Sequence, residues 1–231
     1  MYFEHYETLN DLSDQGRMLR WPDYHACFSS ILPKDTMVRI LDVGCGAGLF
    51  LEWLSSLGYS NVQGIDADEG QVKFAQQLKL NVQCIADSAT WIKSAGLFDL
   101  IVMLDVIEHI PTGQDSLTLK AIHDSLADRG WFVLRTPNAN ASFAPRFLYG
   151  DPTHQRAYTE DSLGYYLRMA GFTQIRITSG DVYRIRSLPG ALRLFTRLTF
   201  HFFRRLEAVS EFGPLGFKMP LSLNLLAICR K

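Results

Sequence analysis

The chain has 231 residues, of which 47% are hydrophobic and 20% charged, and its formal net charge is −1. This length is enough for one sizeable hydrophobic core, and the composition is ordinary for a globular domain. A net charge so close to zero gives no sign of a polyanion partner, so we expect no nucleic acid partner.

The cysteines and the N-terminus exclude further classes of protein. The four cysteines are widely spaced and no Cys-x-x-Cys pair occurs, so neither a disulfide framework nor a zinc site is predicted. Glu4, His5 and Glu7 interrupt any signal-peptide-like apolar run. No apolar run reaches the roughly 18 residues that a membrane-spanning helix needs. We therefore expect a cytoplasmic protein.

The first half of the chain alternates between short apolar runs and amphipathic stretches. Residues 1–35 are polar and aromatic and are interpreted as an N-terminal helical cap, with a helix predicted near 22–32. The alternation that follows predicts a parallel sheet with helices on both faces. We predict strands at 38–43, 61–65, 82–85, 98–104 and 130–136, and helices at 48–58, 69–79, 88–94 and 114–128.

The second half begins with residues 138–158, which are rich in Pro, Gly and aromatic residues and are predicted to form a long loop. Thr159, with acids directly after it, indicates the start of a helix that runs to Ala170 and ends at Gly171. Strands are predicted at 172–178 and at about 223–229. An insertion of about residues 180–220 separates these two strands.

The insertion is basic and amphipathic. Six arginines and no acid lie between Tyr183 and Leu206. A basic helix with an apolar face is typical of a helix that lies on an anionic membrane surface, and a lid helix packed on its own domain has the same periodicity. Both interpretations stay open. The arginines are Arg184, Arg186, Arg193, Arg197, Arg204 and Arg205, and the apolar-face positions are Leu188, Leu192, Phe195, Thr199, Phe202, Leu206 and Val209.

A glycine-rich turn follows the first predicted strand. Gly44, Gly46 and Gly48 lie between an apolar run and an apolar-periodic run, which is typical of a strand, a tight turn and a helix. Asp66 ends the next strand, where a carboxylate can accept both hydroxyls of a ribose. Asp42 would repel a pyrophosphate, but it suits a cation such as the sulfonium and ammonium groups of S-adenosylmethionine.

Five segments in order now resemble the motifs of the class I S-adenosylmethionine-dependent methyltransferases. They are residues 42–48, 64–66, 84–88, 98–110 and 130–138. The resemblance implies an α/β, Rossmann-like fold. Its seven-stranded, mostly parallel sheet would carry helices on both faces, an antiparallel last strand and a helical insertion before that strand. It also implies one domain over 1–231, divided into a cap (1–35), a cofactor-binding core (36–178), the insertion (180–220) and the last strand (221–231).

The resemblance also implies S-adenosylmethionine as the cofactor and a set of residues that binds it. Asp66 would hold the ribose hydroxyls. Asp87, with Ser88 beside it, would accept from the adenine amino group, and Ala67 would line the adenine. The expected cofactor-binding residues are Asp42, Gly44, Cys45, Gly46, Asp66, Ala67, Asp87, Ser88 and Leu104.

Methyl transfer from a sulfonium is an in-line displacement, so the enzyme mainly aligns the acceptor, and a hydroxyl acceptor also needs a base. His154, in the long loop, is the first choice of base, and His109, after the fourth strand, is the second. Either histidine could instead brace its loop. Asp151, Arg156 and Tyr158 are candidates for binding the acceptor or orienting the base. The sequence contains no ligand cluster of defined spacing, so no metal site is predicted.

The Asp-Pro-Thr-His loop at 151–154, followed by Tyr-Thr at 158–159 and a helix that ends in Ala-Gly-Phe at 170–172, resembles a subgroup of methyltransferases that modify surface polysaccharides and other glycans or lipid intermediates. This resemblance favours a sugar or lipid-linked glycan hydroxyl as the acceptor, with peripheral contact of 184–206 at the inner face of a membrane. One alternative acceptor is a small molecule such as a quinone precursor or an amino sugar. Another alternative is a binding or scaffold protein without catalysis, because a fold alone does not establish activity. The oligomeric state is not predicted.

Overall fold

The computed structural model describes residues 2–181 and 188–231. Its centre is a seven-stranded sheet in the order β3-β2-β1-β4-β5-β7-β6. The strands are β1 (Ile40–Val43), β2 (Val62–Asp66), β3 (Val82–Cys84), β4 (Phe98–Leu104), β5 (Leu126–Pro137), β6 (Gln174–Ser179) and β7 (Asn224–Arg230).

Ten α-helices are described. They are α1 (Tyr2–Leu9), α2 (Asp14–Met18), α3 (Trp21–Phe28), α4 (Leu49–Ser56), α5 (Glu69–Gln77), α6 (Ser88–Ser94), α7 (Gln114–Asp124), α8 (Ala144–Gly150), α9 (Glu160–Ala170) and α10 (Leu188–Phe212). Short 3-10 helices span Ile107–His109 and Gly213–Phe217.

The sheet has the predicted Rossmann-like character. Strands β1 to β5 are parallel to one another, whereas β7 is antiparallel to both β5 and β6. One face carries Ile92 of α6, Leu119 of α7 and Leu163 of α9 in a buried cluster. The other face carries a second buried cluster that includes Phe28 of α3 and Trp53 of α4. The mostly parallel sheet, the helices on both faces, the antiparallel last strand and the helical insertion are therefore confirmed.

Several of the predicted helix and loop boundaries were wrong. The helix predicted over 114–128 ends at Asp124, because Leu126 already pairs with Phe98 in the sheet. The predicted loop 138–158 contains α8, whose seven residues are too few to show helical periodicity. The helix predicted near 22–32 ends at Phe28, and α1 and α2 precede it.

The N-terminal segment is held to the sheet domain by a buried ion pair. Arg17 of α2 is 6% exposed, and its Nε and Nη2 donate to the two carboxylate oxygens of Glu52 in α4, at 2.9 and 3.0 Å. This bidentate geometry gives the pair both strength and a defined orientation. It holds α1 to α3 beside the carboxyl ends of the first strands.

The insertion forms α10, and three of its arginines turn toward the domain. Arg197, Arg204 and Arg205 make their contacts with the body of the protein, so they do not form a free basic surface. Arg184 and Arg186 lie outside the described residues. None of the described helices is both long and apolar enough to cross a membrane. The arginine partners are the Asp181 carboxylate and the carbonyl oxygens of Asn140, Gly216, Met219 and Leu221.

Candidate cofactor and acceptor site

The carboxyl ends of β1, β2, β4 and β5 open into a cleft of about 770 Å³. The α1–α3 segment forms its opposite wall. This is the edge of a parallel sheet at which ligands bind in doubly wound folds. Most of the predicted cofactor residues line it, namely Asp42, Gly44, Cys45, Gly46, Asp66, Ala67 and Leu104.

The glycine turn brings backbone close to the cleft. Gly44 has φ +72°, and a Cβ there would lie 2.3 Å from Cγ2 of Val106. Gly46 has φ +54°, and a Cβ there would lie 2.8 Å from Oε1 of Gln71. That oxygen is buried and has no hydrogen-bond partner in the part of the chain that the structure describes, so the turn leaves an unsatisfied acceptor beside the cleft. Only glycine fits both positions without strain.

Asp66 is fixed by backbone amides at the end of β2. Its Oδ2 accepts from the Gly46 amide and its Oδ1 from the Asp68 amide, both at 2.8 Å. Burial raises the pKa of Asp66, and the backbone hydrogen bonds oppose that shift. Because each carboxylate oxygen can accept more than one hydrogen bond, the side chain keeps acceptor capacity for two ribose hydroxyls.

Asp42 lies under the glycine turn and is 2% exposed. Burial raises its pKa to about 7, with a smaller contribution from the nearby Asp66 carboxylate, while Arg135 acts in the opposite direction. A cation in the cleft would favour the ionised carboxylate. The glycine turn, the carboxylate at the end of β2 and the buried Asp42 together fit a ligand that joins a nucleoside to a cationic group.

Two predicted cofactor residues lie outside the cleft lining. Asp87 is exposed and caps α6, where its carboxylate accepts from the Thr90 amide at 3.0 Å. Ser88 is the first residue of that helix. Contact of either residue with adenine stays a prediction.

The cap supplies lining residues that the sequence reasoning missed. Tyr6 of α1, Tyr24 of α3 and Arg20, which directly precedes α3, line the cleft. The guanidinium of Arg20 donates to Oδ1 of Asn10 at 2.5 Å, which holds it over the opening. Burial raises the pKa of Tyr24 to about 12. The sequence signal for these residues was a positive charge, Arg20, among aromatic residues near the N-terminus. Nothing in the spacing of the sequence links that charge to the glycine turn.

His109 and His154 meet at the other end of the cleft. Their ring centroids are 4.5 Å apart and the rings are nearly perpendicular. Nδ1 of His154 lies 2.7 Å from the carbonyl oxygen of Phe147 in α8. A carbonyl can only accept, so in the neutral ring Nδ1 carries the hydrogen and Nε2 keeps its lone pair. The helix missed by the sequence thus sets the tautomer of the first-choice base.

A hydrogen-bonded chain orients the second histidine. The Thr153 hydroxyl donates to Oδ1 of Asp151 at 2.6 Å, so it accepts from Nδ1 of His109 at 2.8 Å. His109 therefore also presents an unprotonated Nε2. Burial and the neighbouring His154 lower the pKa of His109, which favours the neutral ring. Burial opposes ionisation of Asp151, but the Thr153 hydrogen bonds and the two histidines outweigh it and lower the pKa of that carboxyl.

Glu108 adds a buried acid to the histidine pair. Its Oε2 accepts from the Thr136 hydroxyl at 3.0 Å, whereas its Oε1 is buried and has no hydrogen-bond partner among the described residues. Burial, followed by the Asp105 carboxylate, raises the pKa of Glu108 to about 8. One ligand atom each from Glu108, His109 and His154 lies within 4.8 Å of the others, a spacing at which they could share a divalent cation. The sequence reasoning missed this cluster because the two histidines are far apart in the chain.

Arg156 and Tyr158 face away from the cleft. Tyr158 is 1% exposed, and its hydroxyl donates to Oδ2 of Asp115 at 3.3 Å. Nη1 of Arg156 lies 2.9 Å from the same carboxylate and donates to the Tyr166 hydroxyl at 2.8 Å. This buried network braces the acceptor loop. Of the three predicted acceptor residues only Asp151 lines the cleft, and a direct role for the other two stays a prediction that the geometry does not favour.

Comparison with known proteins identifies a family and relatives of similar sequence. Residues 13–177, more than half of the chain, match the model of the methyltransferase domain family. A ubiquinone biosynthesis O-methyltransferase of Ruegeria pomeroyi is 33% identical over 60% of this chain and 61% of its own. Another of that name, from Xanthomonas axonopodis pv. citri, is 31% identical over 63% of this chain and 66% of its own. The chain thus matches slightly less than two thirds of either relative.

A solved structure shares the whole fold. A SAM-dependent methyltransferase from Archaeoglobus fulgidus superimposes with a TM-score of 0.71 at 20% identity, and all of both chains is covered. At this identity the likeness shows the fold. The family match confirms the family expected from the ordered motifs and, with it, the methyl donor of that family. The chain belongs to the methyltransferase domain family of class I fold, whose methyl donor is S-adenosylmethionine.

Proposed function

We propose that the protein methylates a hydroxyl group of an apolar small molecule, with the phenol of a quinone precursor as the best-supported acceptor. The observation that carries the proposal is the pair of histidine Nε2 lone pairs beside the donor cleft. A base is needed for a hydroxyl acceptor, whereas a neutral amine needs none. The names of the two relatives support the small-molecule alternative over the glycan acceptor expected from the sequence.

Each of three cleft residues binds a different part of the methyl donor, S-adenosylmethionine. Asp66 accepts the ribose hydroxyls, and Asp42 faces the cationic part of the ligand. Arg20 is placed on the cap wall to pair with a carboxylate. S-adenosylmethionine, when bound, supplies a methyl group already activated on a sulfonium. The protein therefore contributes chiefly position and exclusion of water.

His154 remains the first choice of base. Its Nε2 can take the acceptor's hydroxyl proton while the acceptor oxygen bonds to the methyl carbon. The carbon–sulfur bond breaks in the same displacement and leaves a neutral thioether. Oδ2 of Asp151 lies 4.0 Å from this Nε2, so it can stabilise the imidazolium that forms. His109 is the second candidate, held by Thr153.

A divalent cation is a second way to activate the acceptor at this place. Bound by Glu108, His109 and His154, it would lower the pKa of a hydroxyl that approaches it. The unpartnered Oε1 of Glu108 is the observation in its favour. Turnover that disappears with EDTA and returns with Mg²⁺, Mn²⁺ or Zn²⁺ would favour the cation. Turnover indifferent to EDTA would favour the histidine base alone.

The test is formation of S-adenosylhomocysteine with a panel of acceptors. The panel contains catechols with and without an isoprenoid side chain, free sugars, and primary amines. We expect turnover with the catechols, and a loss of about 10²–10⁴-fold in kcat in His154→Gln. Donor affinity, measured by calorimetry, should stay near that of the parent protein. Turnover confined to sugars or amines would overturn the acceptor assignment, and an unchanged kcat in His154→Gln would overturn the base.

A further inference from the structure

Helix α10 presents a continuous apolar face to solvent. Leu188 is 85% exposed, Phe195 69%, Phe202 60% and Leu206 51%. Monomeric domains rarely expose a contiguous apolar patch larger than a few hundred Å². The helix runs for 25 residues, and Ala208 is its one buried residue. So long an apolar face indicates a surface that is covered in the working protein.

The spacing of this face is that of a helix-pairing seam. The residues follow one another at alternating intervals of four and three, which is a repeat of 3.5 residues. A straight amphipathic helix that packs on a globular body needs only an approximate 3.6 period, whereas a strict 3.5 period is typical of two helices wound around each other. We call this set the α10 seam, and its residues are Leu188, Leu192, Phe195, Thr199, Phe202, Leu206 and Val209.

The charges on α10 favour a protein partner over an anionic lipid surface. Arg197, Arg204 and Arg205 contact the body of the domain. The exposed charged side chains of the described helix are Arg193 toward its N-terminal end and Glu207 and Glu211 toward its C-terminal end. Interfacial membrane helices instead carry Lys and Arg on a free polar face.

We propose that the α10 seam pairs with the α10 seam of a second copy of this chain in an antiparallel, two-fold symmetric dimer. A two-fold interface uses the same surface on both subunits, which a single self-complementary seam provides. In the antiparallel arrangement the half of each helix that carries Arg193 lies alongside the half of the other that carries Glu207 and Glu211. These charges lie off the seam, so they favour the antiparallel over the parallel direction without pairing across the interface. This inference is independent of the acceptor and the base proposed above.

The available area is sufficient for a stable dimer. The exposed large apolar side chains on α10 are between 51% and 85% exposed. With roughly 100 Å² exposed on each of the eight that lie on or beside the seam, the helix offers on the order of 800 Å² per subunit. A standard specific interface also buries about 800 Å² per partner. The residues counted are Leu188, Leu192, Phe195, Leu198, Phe202, Phe203, Leu206 and Phe212.

Sedimentation equilibrium of the full chain over a hundredfold range of concentration tests the dimer. We expect a concentration-dependent monomer–dimer equilibrium whose Kd rises at least 100-fold in Phe195→Glu and in Phe202→Glu. Phe200→Glu is the matched control, since this exposed phenylalanine on the same helix lies off the seam and should leave the Kd within a few-fold. Because all three positions are exposed, circular dichroism and donor binding should report folded protein.

The same proteins are also sedimented with neutral and with anionic phospholipid vesicles. A parent chain that stays monomeric throughout overturns the dimer, and vesicle binding by that monomer would assign the seam to lipid. A dimer that survives both seam variants overturns the proposed interface. If either seam variant fails to fold, the parent chain and the other variant still decide the question.

Discussion

Replacement of Asp42 by asparagine tests how the buried acid couples donor binding to pH. Asp42 lines the donor cleft, and burial raises its pKa to about 7, so near neutral pH about half of the protein carries a protonated carboxyl there. A cationic donor favours the ionised form and lowers that pKa on binding. Affinity should therefore rise as the pH rises through 7, with release of a proton.

The size of the effect follows from the pKa of about 7. The ionised fraction of Asp42 rises from about one tenth at pH 6 to about nine tenths at pH 8. If the donor binds only the ionised form, its affinity rises about tenfold over that interval, or about 1.4 kcal/mol. Asp42→Asn cannot ionise, so it should bind weakly and lack this rise.

Isothermal titration calorimetry at pH 6, 7 and 8 measures the change. Runs at pH 7 in two buffers of different ionisation enthalpy should show release of about half a proton per donor bound. The donor's own α-amino group titrates near pH 8 and acts in the opposite direction. Asp42→Asn reports that background alone. S-adenosylhomocysteine, which lacks the sulfonium charge, should show a smaller pH effect. The reasoning is refuted if the parent protein and Asp42→Asn give the same pH profile.

Three further changes test the surroundings of the site. Gly44→Ala, whose Cβ would lie 2.3 Å from Val106, should weaken donor binding at least tenfold, and calorimetry with normal affinity would contradict the backbone argument. Asp115→Ala leaves Arg156 without its carboxylate partner and should lower the free energy of unfolding, measured in urea, by about 3–5 kcal/mol. A loss below about 1 kcal/mol would show that this ion pair does not stabilise the fold. Arg17→Ala should free the cap, seen as faster tryptic cleavage after Arg20 and weaker donor binding, and an unchanged rate of cleavage after Arg20 would refute the anchoring role.

Much of the fold and the donor half of the site could be predicted from the sequence. The strands and helices of the core follow hydrophobic periods of two and 3.6 residues, which the chain carries locally. The glycine turn and Asp66 lie at the ends of consecutive strands, and parallel strands bring their carboxyl ends to one edge. Local pattern and sheet direction were therefore enough to place Asp42, Gly44 and Asp66 in one cleft.

The acceptor half depended on contacts that no local pattern encodes. His109 meets His154 only because the acceptor loop folds back over the end of β4, where the Gln155 amide donates to the Glu108 carbonyl oxygen at 2.7 Å. The tautomer of His154 depends on α8, which is too short to show a period. Arg20 enters the site from the cap only after that segment has docked.

The insertion shows the same division between sequence and tertiary structure. Its sequence determined an amphipathic helix with a 3.5-residue seam and a basic face, because both are properties of spacing along one helix. The sequence could not determine which face turns inward. Tertiary packing decided that Arg204 bonds to the backbone carbonyl of Asn140 and that Phe195 and Phe202 face solvent. The orientation of a helix depends on the hydrogen-bonding groups that its neighbours leave unsatisfied, and those neighbours come from distant parts of the chain.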